Sequence, residues 1–269
     1  MMNSSVRPAA VAGMFYPESD LVLAREVGRM LAAAPQDQLR RPKAIIVPHA
    51  GYVYSGPVAA SIYAPLAALR GVIRRVVLLG PTHRYAVDGL ALSSSRAFST
   101  PLGIVPVDQQ AVAAIADLPQ VIVSDAAHAQ EHSLEVQLPF LQAVFGEFSL
   151  LPLAVGQATA QAVAEVLERV WGGDETLIVI SSDLSHYLPY EAARQIDAKT
   201  AGQILDLDPV NHQQACGATP LNGLLLAARR HGLQGQLLDL RNSGDTAGDK
   251  ARVVGYAAFA FHEAIQDAH

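Results

Sequence analysis

Short apolar runs along the chain alternate with longer segments in which apolar residues recur at helical spacing. The apolar runs predict buried strands at residues 43–47, 74–80, 148–155, 176–181, 236–241 and 253–261. The periodic segments predict helices at residues 20–34, 56–69, 133–145, 159–171, 189–205 and 220–231. This alternation is typical of an α/β fold, with a largely parallel or mixed central sheet and helices on both faces.

Residues near the ends of these segments support the assignment. Asp20 is a suitable N-cap for the first helix and Pro35 would end it, while Ser133 is a suitable N-cap for the third. Polar stretches at residues 94–101 and 242–250 are typical of loops, and neither is long enough to link two domains. We therefore expect residues 1–269 to form a single domain.

Composition and charge exclude several classes of protein. Hydrophobic residues make up 51% of the 269 residues, which is enough to bury a large core. The chain lacks an uninterrupted apolar run of the roughly 18 residues that a membrane-spanning helix needs. Its first residues lack the charged start and apolar stretch of a secretory signal. The net charge of −6, without a cluster of basic residues, argues against a nucleic-acid partner.

Three of the predicted strands are each followed by a histidine. His49 follows residues 43–47, His83 follows residues 74–80, and His186 follows the strand at 176–181. Ligands of open α/β sheets bind beyond the carboxyl ends of parallel strands, so these imidazoles are expected to converge there. Each histidine taken alone is more often a hydrogen-bonding residue than a ligand. Three in the same topological position favour a site for Zn, Cu, Fe or Ni.

Cys216 is the single cysteine, which excludes an intramolecular disulfide and fits a cytoplasmic location. A lone cysteine is often a small buried apolar side chain. Cys216, however, lies in a turn-like segment just before a predicted helix, and a helix N-terminus lowers the pKa of a thiol. It is therefore either inert or a further metal ligand, and a thiolate would favour Cu(I), Zn or Fe.

A second group of polar residues, His128, Glu131 and His132, has the H-x-x-E-H spacing of one class of zinc peptidases. That motif needs both histidines on one helix face, and residues 124–130 show little helical periodicity. The alternative is a loop that brings Glu131 and His132 to the rim of the main site. A zinc hydrolase built on this segment stays an open hypothesis.

Five short stretches resemble the Memo family, whose bacterial and archaeal members are called AmmeMemoRadiSam system protein B. The resemblance extends over nearly the whole chain, from the A-G-M-F-Y-P opening to the final strand. It rests on V-P-H-A-G-Y (residues 47–52), L-G-P-T-H (79–83), E-H-S-L-E (131–135), S-S-D-L-S-H (181–186) and C-G (216–217). The family is similar in fold to class III extradiol dioxygenases, which use non-haem Fe(II).

This resemblance implies a role for each candidate residue. His49 and His83 would be metal ligands, and Cys216 would replace the glutamate ligand of the dioxygenases. His186, with Asp183 beside it, would occupy the place of the acid/base histidine. The remaining residues of the matching stretches, His132, Glu131 and Tyr52, are expected to bind substrate or support the ligands.

Two functions are compatible with such a site. The first is a metal-dependent oxidoreductase, similar to a dioxygenase, that uses Fe(II) or copper, with zinc as a further alternative, on an unidentified small molecule. The second is a non-catalytic module that keeps the pocket and binds a metal or a peptide. The family name also implies AMMECR-type and radical SAM partners, and the apolar composition makes a homo-oligomer credible.

Overall fold

The computed structural model describes residues 6–36 and 39–263, and every predicted strand and helix has a counterpart there. Its strands are β1 Val6–Arg7, β2 Ala44–Val47, β3 Arg75–Pro81, β4 Leu90–Leu92, β5 Ala97–Thr100, β6 Gly103–Pro106, β7 Val121–Val123, β8 Ser149–Val155, β9 Thr176–Ser181, β10 His186–Leu188, β11 Leu233–Asn242 and β12 Val253–Glu263. Its α-helices are α1 Asp20–Ala33, α2 Tyr52–Leu66, α3 Gln109–Ile115, α4 Asp125–Ala129, α5 Leu138–Phe145, α6 Ala160–Arg169, α7 Tyr190–Leu205 and α8 Ala218–Arg230.

Most strands form one mixed sheet of nine strands, as the alternating pattern predicted. The strand order runs β12, β2, β9, β3, β8, β4, β7, and both β10 and β11 pair with β12. The four strands β2, β9, β3 and β8 are parallel to one another. The sheet is mixed because β12 runs antiparallel to β2, and β4 antiparallel to β8.

Helices cover both faces of this sheet and create two apolar cores. Alternate residues of β3 point to opposite faces, so Val76 and Val77 belong to different cores. The first core is closed by α1, α2 and α5, and the second by α6, α7 and α8. Because the central strands are buried on both sides, they appear in the sequence as continuous apolar runs.

The segment between β3 and β8 departs most from the prediction. The stretch 94–101, expected to be a loop, contains β5, which pairs with β1 and β6 in a separate three-stranded sheet. The prediction was wrong there because the polar residues of β5 are satisfied inside the protein. Thr100 Oγ1, for example, donates to Gln142 Oε1 at 2.6 Å, while Phe98 on the same strand is buried.

Two predicted helices begin elsewhere than expected. Helix α2 begins at Tyr52, four residues before the predicted start at residue 56, and contains Pro57 and Pro65 within its length. The predicted helix at 133–145 begins instead with a 3₁₀ turn, Glu135–Gln137, and becomes α-helical at Leu138. Among the described helices, none is both long and apolar enough to cross a membrane.

Candidate metal centre

The carboxyl ends of β2, β9 and β3 lie side by side, because β9 pairs with both of the other strands. His49 follows β2, His83 follows β3, and Asp183 and His186 follow β9. The sheet therefore brings the residues after these three strands to one edge. All four of them line a cavity of about 1420 Å³ that opens there.

Three imidazoles form a compact group at this edge. One ring nitrogen from each of His49, His83 and His132 lies within 4.8 Å of the other two. The rings of His83 and His132 are stacked with centroids 4.6 Å apart, and His49 meets both rings edge-on. His132 was expected at the rim, but the structure places it in the cluster, and His186 is not part of that group.

Hydrogen bonds around Ser181 fix the tautomer of His49. The Ser181 hydroxyl donates to the Ser133 carbonyl at 2.5 Å, so its oxygen can only accept from its other neighbours. It accepts from Gln137 Nε2 at 2.8 Å and from His49 Nδ1 at 3.0 Å. His49 Nδ1 therefore carries the proton, and Nε2 is left with its lone pair.

The amide of Gln137 is itself oriented by two further partners. Tyr63 donates its hydroxyl proton to Gln137 Oε1 at 2.9 Å, and Gln137 Nε2 also donates to the Pro48 carbonyl at 2.9 Å. The chain of donors thus has one direction from Tyr63 to the Ser133 carbonyl. Burial, followed by the charges of His83 and His132, lowers the pKa of His49 well below its ordinary value and keeps the ring neutral.

Glu131 supports the other two histidines. His83 Nδ1 donates to Glu131 Oε1 at 2.9 Å, and the His83 backbone N–H donates to Glu131 Oε2 at 2.5 Å. The backbone N–H groups of His132 and Ser133 also donate to Oε1, each at 2.9 Å. Burial alone would raise the pKa of Glu131, but these hydrogen bonds outweigh it and lower the pKa to about 2. The carboxylate is charged and orients His83 with Nε2 free.

His132 is held against His83 by packing and by a close backbone approach. Phe15 packs on its ring with centroids 4.5 Å apart, and burial lowers the pKa of His132 to about 4. Ser133 Oγ donates to the Pro81 carbonyl at 2.8 Å. A Cβ at Gly80 would lie 2.8 Å from Ser133 Oγ. Glycine at this position therefore allows the segment that carries His132 and Ser133 to pack on the end of β3.

Cys216 lies at the edge of the cluster and contacts one of its histidines. Its Sγ is 3.2 Å from His49 Nε2 and accepts from the Asp183 backbone N–H at 3.3 Å. Cys216 lies just before α8, as predicted, but the expected lowering of its pKa was wrong. Burial, with the nearby charge of Asp183, raises the pKa of the thiol to about 12. Gly217 allows this approach, because a Cβ there would lie 2.7 Å from Ser182 Cβ.

Asp183 and His186 both follow β9, and their side chains have separate hydrogen-bond partners. Asp183 Oδ1 accepts the His49 backbone N–H at 2.7 Å, and burial raises the pKa of Asp183 to about 6. His186 Nδ1 donates to the Leu184 carbonyl at 2.8 Å, which leaves Nε2 as an acceptor. The backbone then turns at Tyr187, whose φ of 60° is left-handed.

Two residues singled out in the sequence lie outside the histidine cluster. Tyr52, expected to bind substrate or support the ligands, is buried in the first core, where its hydroxyl donates to the Val136 carbonyl at 2.6 Å, while Tyr54 lines the cavity. His128, the first histidine of the peptidase motif, is buried and donates from Nε2 to the Ala91 carbonyl at 2.8 Å. His128 is not in the group of potential metal ligands that contains His132.

The chemistry of the donors in the cluster fits a transition-metal ion. Neutral imidazoles are preferred ligands of Fe, Cu and Zn. Two nitrogens bound to one tetrahedral ion lie about 3.4 Å apart. The nitrogens of the three histidines already lie within 4.8 Å of one another, so small side-chain movements would bring them to that spacing. The thiol of Cys216 adds a softer donor beside His49. The predicted ligands His49 and His83 are therefore joined by His132, with Cys216 adjacent.

The sequence matches the family model described as "Memo-like protein" over residues 7–260. A "MEMO1 family protein" of Aquifex aeolicus is 37% identical, with 95% of this chain and 99% of the relative covered. One from Ignicoccus hospitalis is 36% identical, with 95% and 98% covered. The solved structure of "uncharacterized protein JW3007 from Escherichia coli K12" aligns with a TM-score of 0.53 over 81% of this chain and 99% of that one. At 13% identity, that likeness shows the fold alone.

Proposed function

This chain belongs to the Memo-like family, and we propose that it binds one redox-active metal ion through His49, His83 and His132 and acts as an oxidoreductase on a small molecule. The observation that carries the proposal is the group of three imidazole nitrogens within 4.8 Å of one another on the wall of a large cavity. Three further features support it: the fixed tautomer of His49, the carboxylate behind His83, and the neutral state of the buried rings.

Iron(II) or copper is the proposed ion, with zinc as the non-redox alternative. Imidazole binds all three, and a neighbouring thiolate favours iron, copper or zinc over magnesium or calcium. When bound, iron or copper would supply one-electron chemistry and open positions for substrate or oxygen. Cys216 is the proposed fourth donor, because its Sγ already contacts His49 Nε2. Its buried thiol must lose a proton in order to bind metal.

His186 is the proposed proton acceptor of the reaction. Its Nδ1 proton is committed to the Leu184 carbonyl, so Nε2 carries the lone pair that could take a proton from a molecule in the cavity. Asp183 is buried and lines the same cavity as this histidine. Asp183 also positions His49, because its carboxylate accepts the His49 backbone N–H.

Metal content is the direct test of the proposal. The protein is expressed with iron and copper supplements, purified without oxygen, and its bound metals are measured by mass spectrometry. We expect about one ion per chain in the wild type, with a large loss in His132→Asn and a smaller loss in Cys216→Ser. His231→Asn, which changes an exposed histidine paired with Glu168, is the matched control and should keep its metal. Equal metal content in all four folded proteins would contradict the proposal.

Turnover separates the enzyme from the non-catalytic module. Oxygen uptake by the metal-loaded protein with added small molecules, abolished in His186→Gln at unchanged metal content, is the result expected of an oxidoreductase. Stoichiometric ligand binding without oxygen uptake would favour the binding module. The AMMECR-type and radical SAM partners stay predictions from the family resemblance.

A further inference from the structure

The cavity next to the histidine cluster carries basic side chains that the proposed metal site does not use. Arg84, Lys199 and Arg252 line it, and none of the three forms an ion pair with a described residue. Their acidic neighbours in the lining are two carboxylates, Asp183 and Asp249. The cavity wall thus carries more cationic side chains than carboxylates, although the chain as a whole has a net charge of −6.

From this excess of unpaired cations we infer that the cavity binds a small organic anion, whose carboxylate or phosphate group is met by Lys199 and Arg252. This inference rests on the proposed function, because it names the substrate class of the same site. Arginine and lysine are the side chains that recognise such anions.

The acidic residues of the cavity contact backbone N–H groups and not the three cations. Asp183 accepts the backbone N–H of His49, and Asp249 Oδ1 accepts the backbone N–H of Ala251 at 2.7 Å. Neither carboxylate forms an ion pair with one of the three cations. A ligand that brings its own negative charge would therefore complete the site.

The basic residues reach the cavity from different parts of the fold. Arg84 follows the metal-binding His83 and lies close enough to His132 for its charge to lower the pKa of that histidine. Lys199 is on α7. Arg252 lies just before β12, with its guanidinium 5.0 Å from the centroid of the Tyr187 ring. A cation held against an aromatic face is restrained at the wall, which reduces the entropy lost on binding an anion.

The rest of the cavity wall indicates the body of the ligand. Apolar and aromatic side chains alternate there with the polar ones, including Phe15, Tyr54, Leu188, Ile196 and Tyr256. Tyr54 and Ile196 are exposed to solvent at 40% and 38% of their surface, although both are large and apolar. Such surfaces are covered by apolar parts of a ligand. We therefore expect an aromatic or other apolar body that carries one acidic group.

The test compares three probes that share a ring and differ in charge. Benzoate and phenyl phosphate carry the anion, and benzamide is the neutral match of benzoate. Their dissociation constants are measured by ligand-observed NMR titration, on the protein as purified and after metal removal. We expect both anions to bind more tightly than benzamide in both samples, and raised salt to weaken only the anions.

Substitutions of the basic residues then test whether the anions bind at this wall of the cavity. Lys199→Gln and Arg252→Gln should each weaken both anions by roughly 3- to 10-fold and leave benzamide unchanged. Arg29→Gln removes an exposed charge on α1, outside the cavity, and should leave all three constants unchanged. Equal binding of benzoate and benzamide, or an equal effect of all three variants, would overturn the inference.

Measuring the metal content of the same samples distinguishes a failure of the anion site from a failure of the proposed metal site. Charge-selective binding that depends on Lys199, in a protein that carries no metal as purified from iron- and copper-supplemented medium, would refute the metal site and leave the anion site intact. If the protein instead binds one metal ion per chain in a way that depends on His132, but shows no preference for the anionic probes, the metal site would stand and the anion site would be refuted.

Discussion

The carboxylate of Glu131 holds His83 at two points, with Oε1 2.9 Å from Nδ1 and Oε2 2.5 Å from the backbone nitrogen. The same oxygen, Oε1, accepts the backbone N–H of His132. The side chain of Glu131 therefore orients the ring of His83 and also fixes the backbone that carries His132. The geometry of the cluster depends on Glu131 although that residue is not one of its three members.

Glu131→Gln is expected to weaken metal binding by about 10- to 100-fold, because the amide can no longer accept with both of its heteroatoms. A competition titration against a chelator of known affinity measures the change. Glu168→Gln is the matched control, since Glu168 pairs with the exposed His231 at 2.8 Å. Unchanged affinity in Glu131→Gln would show that the carboxylate does not support the ligands.

Gly80→Ala and Gly28→Ala should change stability in opposite directions. At Gly80 the new methyl would press on Ser133, and we expect a loss of about 1–3 kcal/mol together with weaker metal binding. At Gly28, on α1, a Cβ meets no atom within 4 Å, and alanine should stabilise the helix by about 0.5–1 kcal/mol. Urea unfolding measures both, and a loss in both variants would contradict the steric argument.

His128 should make the protein less stable as the pH falls. Burial lowers its pKa from 6.5 to about 4, so the folded state favours the neutral ring. The unfolded chain binds the proton first, and stability present above pH 6.5 is lost between about pH 6.5 and pH 4. His128→Gln should remove roughly 2–3 kcal/mol of this loss between pH 7.5 and pH 4.5, as measured by urea unfolding. The exposed control His231→Gln should show the same loss as the wild type.

The buried ion pair of Arg7 and Glu135 should be costly to break. Arg7 also donates from Nε to the His128 carbonyl and from Nη2 to the Glu131 carbonyl, so it anchors both ends of the segment before His132. Arg7→Met should cost about 3–5 kcal/mol of unfolding free energy, because Glu135 stays buried without its cation. Adding Glu135→Gln should restore part of that loss.

An exposed pair provides the comparison for this prediction. Arg194 and Glu191 form an ion pair on the surface of α7, with 60% and 72% of their side chains exposed. Arg194→Met should cost less than about 1 kcal/mol, because solvent screens the pair. Equal losses in Arg7→Met and Arg194→Met would show that the buried pair does not stabilise the fold.

The sequence predicted the parts of the fold that depend on local pattern. The central strands were recognisable because they are buried on both faces, and the edge position of His49, His83 and His186 followed from their place after those strands. Strand β5 was missed because its polar residues find partners in distant segments, as Thr100 does in Gln142. No local pattern indicates such a partner.

The composition of the cluster could not be predicted for a related reason. His132 follows no strand, and it reaches the cluster because its segment packs over Gly80 and is anchored by Glu131. The E-H-S motif was a signal that this segment matters, but it did not distinguish a ligand from a rim residue. The pKa of Cys216 was predicted in the wrong direction, because burial outweighs the helix N-terminus and burial cannot be inferred from the neighbouring residues.

The order of strands at the site has a consequence for synthesis on the ribosome. Strand β9 lies between β2 and β3 in the sheet, although it emerges far later than either of them. A nascent chain that ends before residue 176 already contains all three clustered histidines but lacks the strand that aligns their supports, including Ser181. We expect such a chain to have no organised site. Under the proposed function, metal binding would then be a late event in biogenesis, after the whole sheet has formed.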